Sequence, residues 1–175
     1  MRLGWLAFPL AAALALAGCV TSDPPPQHPA ERPGRPISGT VSAATYVAQA
    51  ASIDLFEWRS SQLALTRSAN PRIQALARRM ATEHRGLASQ LSFAGRRLNL
   101  LPSATLLPRH QAMLDELVVS SSFDATYRRQ QLAIHGASLS LHQAFAARGS
   151  SPTLRPVAAN AARVEEAHLK LARAL

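Results

Sequence analysis

Four long stretches of the chain repeat their apolar residues with a period near 3.6, and none shows the period-two alternation of a half-buried strand. The first, Val41 to Arg67, reads "VSAATYVAQAASIDLFEWRSSQLALTR" and stops before "SANP". The second opens with Asn70 as N-cap and Pro71 at the first helical position. It then carries Ile73, Ala77, Met80, His84, Leu87, Leu91, Ala94 and Leu98 at alternating spacings of four and three, which makes a single core-facing stripe. After the connection "NLLPSATLLP", a short helix is predicted over Arg109 to Val119. The next segment starts behind Ser122 with "FDATYRRQQLAIHGASLSLHQAFAAR" and sets Phe123, Tyr127, Ile134, Leu141 and Phe145 near one face. The last opens with Ser151 and Pro152, then repeats Leu154, Val157, Ala161, Val164, His168, Leu171 and Leu175. Four long amphipathic helices and one short one in the middle connection predict an all-α fold, a four-helix bundle with a short extra helix.

The residues before this pattern are of another kind. Met1 to Gly18 carries one basic residue, Arg2, then an apolar run ending in small residues, as an export signal does. The junction "LAGC" sets small residues before the only cysteine, the pattern of a bacterial lipoprotein signal. Cys19 is therefore expected to become the acylated N-terminus, with palmitate among its chains, and a lone cysteine leaves no internal disulfide. Val20 stands where an aspartate would favour inner-membrane retention. The expectation is an outer-membrane anchor with the domain facing the periplasm. From Val20 to Thr40 the prolines of "VTSDPPPQHPAERPGRPISGT" predict an extended tether of about 3.1 Å per residue, in which His28 is solvated. Three parts follow: a leader at 1–18, a lipidated cysteine and tether at 19–40, and a helical domain at 41–175.

Charge narrows the partners. The formal net charge is +9, or +8 once Arg2 leaves with the leader, and every basic residue except Lys170 is arginine. The arginines are spread along the chain, with pairs at Arg78/Arg79, Arg96/Arg97 and Arg128/Arg129. Nucleic-acid binding needs a basic face and usually aromatic platforms, and aromatic residues make up only 5% of the chain, so no nucleic acid is expected. Anionic envelope components, lipid head groups or lipopolysaccharide, suit the charge and the place. There is no Gly-rich phosphate loop and no G-x-S-x-G elbow, and the cysteine is taken by lipid, so an enzyme is not the expectation.

The runs "YVAQAASIDLFEWRSSQLAL", "NPRIQALARRMATEHRGLASQL", "LLPSAT", "LDELVVSSSFDATYRRQQLAIH" and "EEAHLKLARAL" together resemble the exported bacterial family called domain of unknown function 4142, over Tyr46 to Leu175. The resemblance rests on Glu83 and His84, on "FDATY" at Phe123 to Tyr127, on His135, and on a histidine near the C-terminus. It implies a ferritin-like bundle, exported, with metal binding as the superfamily's implication.

Two-metal carboxylate bundles need a lone Glu on two helices and a Glu-x-x-His turn on the other two. Here Glu165 and His168 form one such turn and Glu57 supplies a lone carboxylate. The second turn is missing, because Ala81 precedes His84 and Leu132 precedes His135 by three residues. What remains is one candidate per long helix, Glu57, His84, His135 and His168, joined by Glu165. Each of the four lies about thirteen to sixteen residues into its helix, so in an up-down-up-down bundle they meet near mid-height. Three imidazoles and a carboxylate suit one transition-metal ion: Zn, Fe, Mn or Cu.

A second reading stands beside this one. A histidine on an apolar stripe also serves as a neutral core residue hydrogen-bonded to a carboxylate or carbonyl, with Glu57 as the partner. His135 lies in a polar row with Arg128, Gln131, Ser138 and His142, beside the stripe of Ile134. His110 and His142 are expected at the surface, and Asp54, one turn before Glu57, is expected towards solvent, with a second carboxylate for the site as the alternative. Glu83 is expected in a surface ion pair with Arg79, Asp124 at the helix dipole, and Tyr127 packed with its hydroxyl at the edge. Function is left between a metal-binding envelope lipoprotein and a basic module that binds anionic lipid, lipopolysaccharide or a protein partner.

Overall fold

The computed structural model describes residues 41–175, and the expected leader, Cys19 and tether lie outside them. Among the described residues every regular element is helical: α1 (Ala43–Arg67), α2 (Pro71–Arg96), α3 (Pro108–Val119), α4 (Phe123–Arg148) and α5 (Arg155–Arg173). None of these helices is long and apolar enough to cross a membrane.

The punctuation works as physical chemistry requires. The Ser42 side chain accepts from Thr45 N–H at 3.1 Å, and Asn70 Oδ1 accepts from Arg72 N–H at 2.9 Å, with Pro71 behind it. α2 ends where Gly95 O takes both Leu98 N–H and Leu100 N–H at 2.9 Å. The chain folds back so closely that a Cβ on Gly95 would stand 2.2 Å from Leu100 O, so only glycine fits there. α5 begins later than the sequence pattern predicts. Ser151 caps only a turn, accepting from Leu154 N–H through both its carbonyl and its hydroxyl, and regular helix starts at Arg155. Arg155 N–H does reach Ser151 O at 3.1 Å, but Pro156 has no N–H to give the Pro152 carbonyl and so interrupts the next rung of the ladder.

The helices pair as two antiparallel hairpins, α1 with α2 and α4 with α5. Bonds from Tyr46 to His142 and from Gln131 to Glu57 set α4 antiparallel to α1. Bonds from Asn160 to Gln90 and between His168 and Glu83 set α5 antiparallel to α2. α2 and α4 therefore run the same way, so the order is up-down-down-up, not the up-down-up-down expected. The reason is α3. It climbs back alongside α1, from Leu107 and His110 at Ser52 to a C-terminal end where the Arg67 guanidinium donates to the carbonyls of Leu117, Val118 and Ser120.

Two apolar cores fill the bundle. One, around Tyr46, Phe56, Leu91, Ile134, Phe145 and Leu154, lies towards the start of α1. The other, around Ile73, Met80, Leu117, Phe123, Tyr127 and Ala172, lies towards its end. The helices form one compact unit holding both cores, so the domain carries the apolar burial its own folding needs. Between the cores runs a layer of buried polar side chains.

Candidate metal centre

Three of the four long helices turn potential metal ligands into that layer. α2 contributes His84 between Met80 and Leu87. α4 contributes His135, and α5 contributes Glu165 and His168 three residues apart on one face. All four are fully buried. One coordinating atom from each lies within 4.8 Å of the others. The ring centroids of His84 and His168 are 5.2 Å apart, those of His135 and His168 5.3 Å, and those of His84 and His135 5.9 Å.

The hydrogen bonds around the cluster fix which lone pairs face inwards. His135 Nδ1–H donates to Gln131 O at 2.7 Å; a carbonyl only accepts, so Nε2 carries the lone pair. His84 Nδ1–H donates to Asp54 Oδ1 at 2.9 Å, and His168 Nε2–H donates to Glu83. Ser138 Oγ–H donates to Glu165 Oε1 at 2.8 Å, leaving Oε2 free. The four remaining atoms, His84 Nε2, His135 Nε2, His168 Nδ1 and Glu165 Oε2, are buried without a hydrogen-bond partner. His135 Nε2 and Glu165 Oε2 stand 3.7 Å apart. Three imidazole lone pairs and a carboxyl oxygen, none with a hydrogen-bond partner, are costly in an apolar core, and a cation that displaces the carboxyl proton satisfies all four. Imidazole and carboxylate bonds to such an ion run about 2.0–2.2 Å, so closing the donors around one centre takes shifts of about an ångström or less.

Burial sets the protonation. It pushes His84 and His135 down to about 3 and His168 down to about 4; neighbouring histidines add to the shift at His135 and His168, and the Glu83 charge opposes it at His84, so all three rings are neutral at pH 7. Burial pushes Glu165 up to about 8 against the opposing Ser138 hydrogen bond, and holds Asp54 and Glu57 well above the carboxylate range. Without a cation Glu165 keeps its proton at neutral pH, and an arriving metal displaces it.

Glu57, counted with these residues from the sequence, is not brought into the group. It accepts from Gln131 Nε2–H at 2.9 Å and lies 4.0 Å from His135 Nδ1, on the side of that ring away from the converging Nε2. Counting residues set the height of Glu57 but not the rotation of α1, which turns Asp54 to His84 instead.

Several placements differ from expectation. Asp54 is buried, not solvent-facing, because it shares a face of α1 with Ala50 and Ala51. His110 and His142 are buried too. α3 carries His110 onto Ser52 and Phe56 of α1, and His142 Nδ1 meets Tyr46 OH at 3.0 Å while Nε2 stands 3.9 Å from Glu165. The polar row of Gln131, Ser138 and His142 points inwards with His135, and the Tyr127 hydroxyl is fully buried rather than at the edge. Glu83 does pair with Arg79, at 3.0 Å, but its other oxygen holds His168. The outer partners Asp54, Gln131, Glu83 and Ser138 were missed by the sequence reading. The one available signal was that Asp54 lies a turn along from Ala50 and Ala51.

The family model described as "Domain of unknown function (DUF4142)" matches residues 28–175. The chain belongs to this family. No curated protein matches this DUF4142 chain. Among solved structures it is similar to CopM in the Cu(II)-bound form, with a TM-score of 0.66 and 15% identity over 77% of this chain and 95% of that one. CopM in the Ag-bound form gives 0.63 at 13% identity, covering 77% and 94%. CopM in the apo form gives 0.62 at 14%, covering 76% and 94%. At such identity the likeness shows a shared helical fold for the DUF4142 domain.

Proposed function

We propose that this DUF4142 protein binds one transition-metal ion in the core of its bundle, through His84 Nε2, His135 Nε2, His168 Nδ1 and Glu165 Oε2. The observation that carries the reading is the convergence of four buried, unpartnered lone pairs, with the second nitrogen of every imidazole tied to an acceptor. Outer acceptors of this kind orient metal-bound histidines and set their tautomers. The likeness to CopM, solved with Cu(II), Cu(I) and Ag bound, supports a metal-handling bundle. Three nitrogens and one oxygen accept Zn, Fe, Mn or Cu, and the Irving–Williams order makes Cu(II) the tightest. The site is an enclosed set of four protein ligands, so the role is holding or buffering metal rather than turnover. In this reading Cys19 anchors the protein in the outer membrane, the domain faces the periplasm, and metal handling belongs to the envelope.

Metal content by mass spectrometry of a chain starting at Ser38, purified without chelator or affinity tag, tests it. The expected result is one metal per chain, with a higher melting temperature than the metal-free form. No stoichiometric metal, and no change in melting temperature on adding Cu, Zn, Fe or Mn, overturns it and leaves the histidines as a register-setting polar layer.

A further inference from the structure

One end of the bundle differs in character from the rest. Val41, the end of α2, the end of α4 and the start of α5 meet there: Ser150 N–H donates to Val41 O, and Leu98 and Leu100 pack on the core that holds Tyr46, Phe145 and Leu154. The three segments that build this end, 41–53, 91–108 and 143–163, contain no aspartate or glutamate. They present Arg96, Arg97, Arg148 and Arg155, all exposed. Beside them stand two of the bundle's most exposed large apolar side chains, Phe93 at 61% and Leu101 at 71%, and the Arg97 guanidinium lies over the Phe93 ring, 5.4 Å from its centroid. The opposite end carries Arg72, Arg128 and Arg129 but interleaves them with Asp115, Glu116 and Asp124, and Arg129 is paired with Glu116.

Arginines without counter-charges around exposed apolar side chains match an anionic bilayer surface. Guanidinium groups meet the phosphates while Phe93 and Leu101 enter the head-group layer. The chain outside the described residues joins the domain at Val41, on this same end. We infer that the Arg96/Arg97/Arg148/Arg155 end, with Phe93 and Leu101, is a docking surface for anionic phospholipid that holds the bundle end-on against the membrane. The inference is independent of the metal centre, which lies at mid-height.

The test is co-sedimentation of the chain starting at Ser38 with vesicles of phosphatidylcholine alone or mixed with phosphatidylglycerol. Binding is expected only with phosphatidylglycerol and is weakened by salt. Arg96→Gln with Arg97→Gln should weaken it roughly 25-fold, about fivefold per arginine. Arg72→Gln with Arg128→Gln, which removes the same charge from the opposite end, should change it less than about twofold. Phe93→Ser with Leu101→Ser should remove the part of the binding that survives high salt. All these positions are exposed, and helical circular dichroism verifies that each variant is folded. Equal losses from the two arginine pairs overturn the inference in favour of diffuse attraction. No preference for phosphatidylglycerol overturns it as well and leaves this end to an acidic protein partner.

Discussion

His110, which α3 presses against α1, and the three histidines at the centre of the bundle are all hidden from water, yet the two regions treat imidazole differently. At His110 both ring nitrogens are used. Arg109 Nε–H donates to Nε2 at 3.1 Å, which makes Nδ1–H the donor to Ser52 Oγ at 2.7 Å, and that oxygen also accepts Leu107 N–H at 2.8 Å. The ring is a strut that fixes the crossover helix to α1. At the centre each of His84, His135 and His168 spends one nitrogen on an acceptor and leaves the other bare. Burial alone therefore does not distinguish a ligand from a strut; the unspent lone pair does.

The sharpest way to break this comparison is to exchange the two kinds of histidine. His84→Ala or His168→Ala should abolish stoichiometric metal, whereas His110→Ala should keep metal and lower stability by about 1–3 kcal/mol in urea unfolding, through the polar groups it orphans. Metal content that survives in the first two, or is lost in the third, removes the distinction. Asp54→Asn tests the outer partner: it should leave one metal per chain at saturation but weaken affinity roughly 10–100-fold, read by competition with a chelating dye.

Protonation sharpens the contrast next. Buried His84, His135 and His168, and also His110 and His142 (each pushed down to about 4), have folded values below the ordinary 6.5. The unfolded chain then binds more protons in that window, so their stabilisation is complete above about 6.5 and is lost as pH falls towards 4. The melting temperature of metal-free protein should drop over that range, and by less in His110→Ala. Glu165 acts in the opposite sense. Its folded value of about 8 costs the metal-free protein stability as pH rises from 4.5 to 8, and binding a divalent ion at pH 7 should release about one proton, measurable by calorimetry in buffers of different ionisation enthalpy. The smallest effect is expected from Ser52→Ala, about 1 kcal/mol of stability with metal affinity unchanged.

Much of this protein was legible before any coordinates. The alternation of fours and threes from Ile73 to Leu98, the Asn70–Pro71 start and the Ser122 boundary are local signals, and local hydrogen bonding and side-chain periodicity obey them, so the all-helical bundle and its middle helix follow from sequence. The histidines on the α2 and α5 stripes were legible for the same reason. What one dimension does not hold is helix rotation and the path of the crossover. α5 buries Ala158, Ala161, Glu165, His168 and Ala172 rather than the row of Val157, Val164 and Leu171, a turn of the helix that brings Glu165 inside. The return of α3 beside α1 buries His110 and sets α2 and α4 parallel. Whether Asp54 or Glu57 faces His84 is decided by packing between helices far apart in sequence, because residue counts set height along an axis and only contact with the neighbouring helices sets rotation about it.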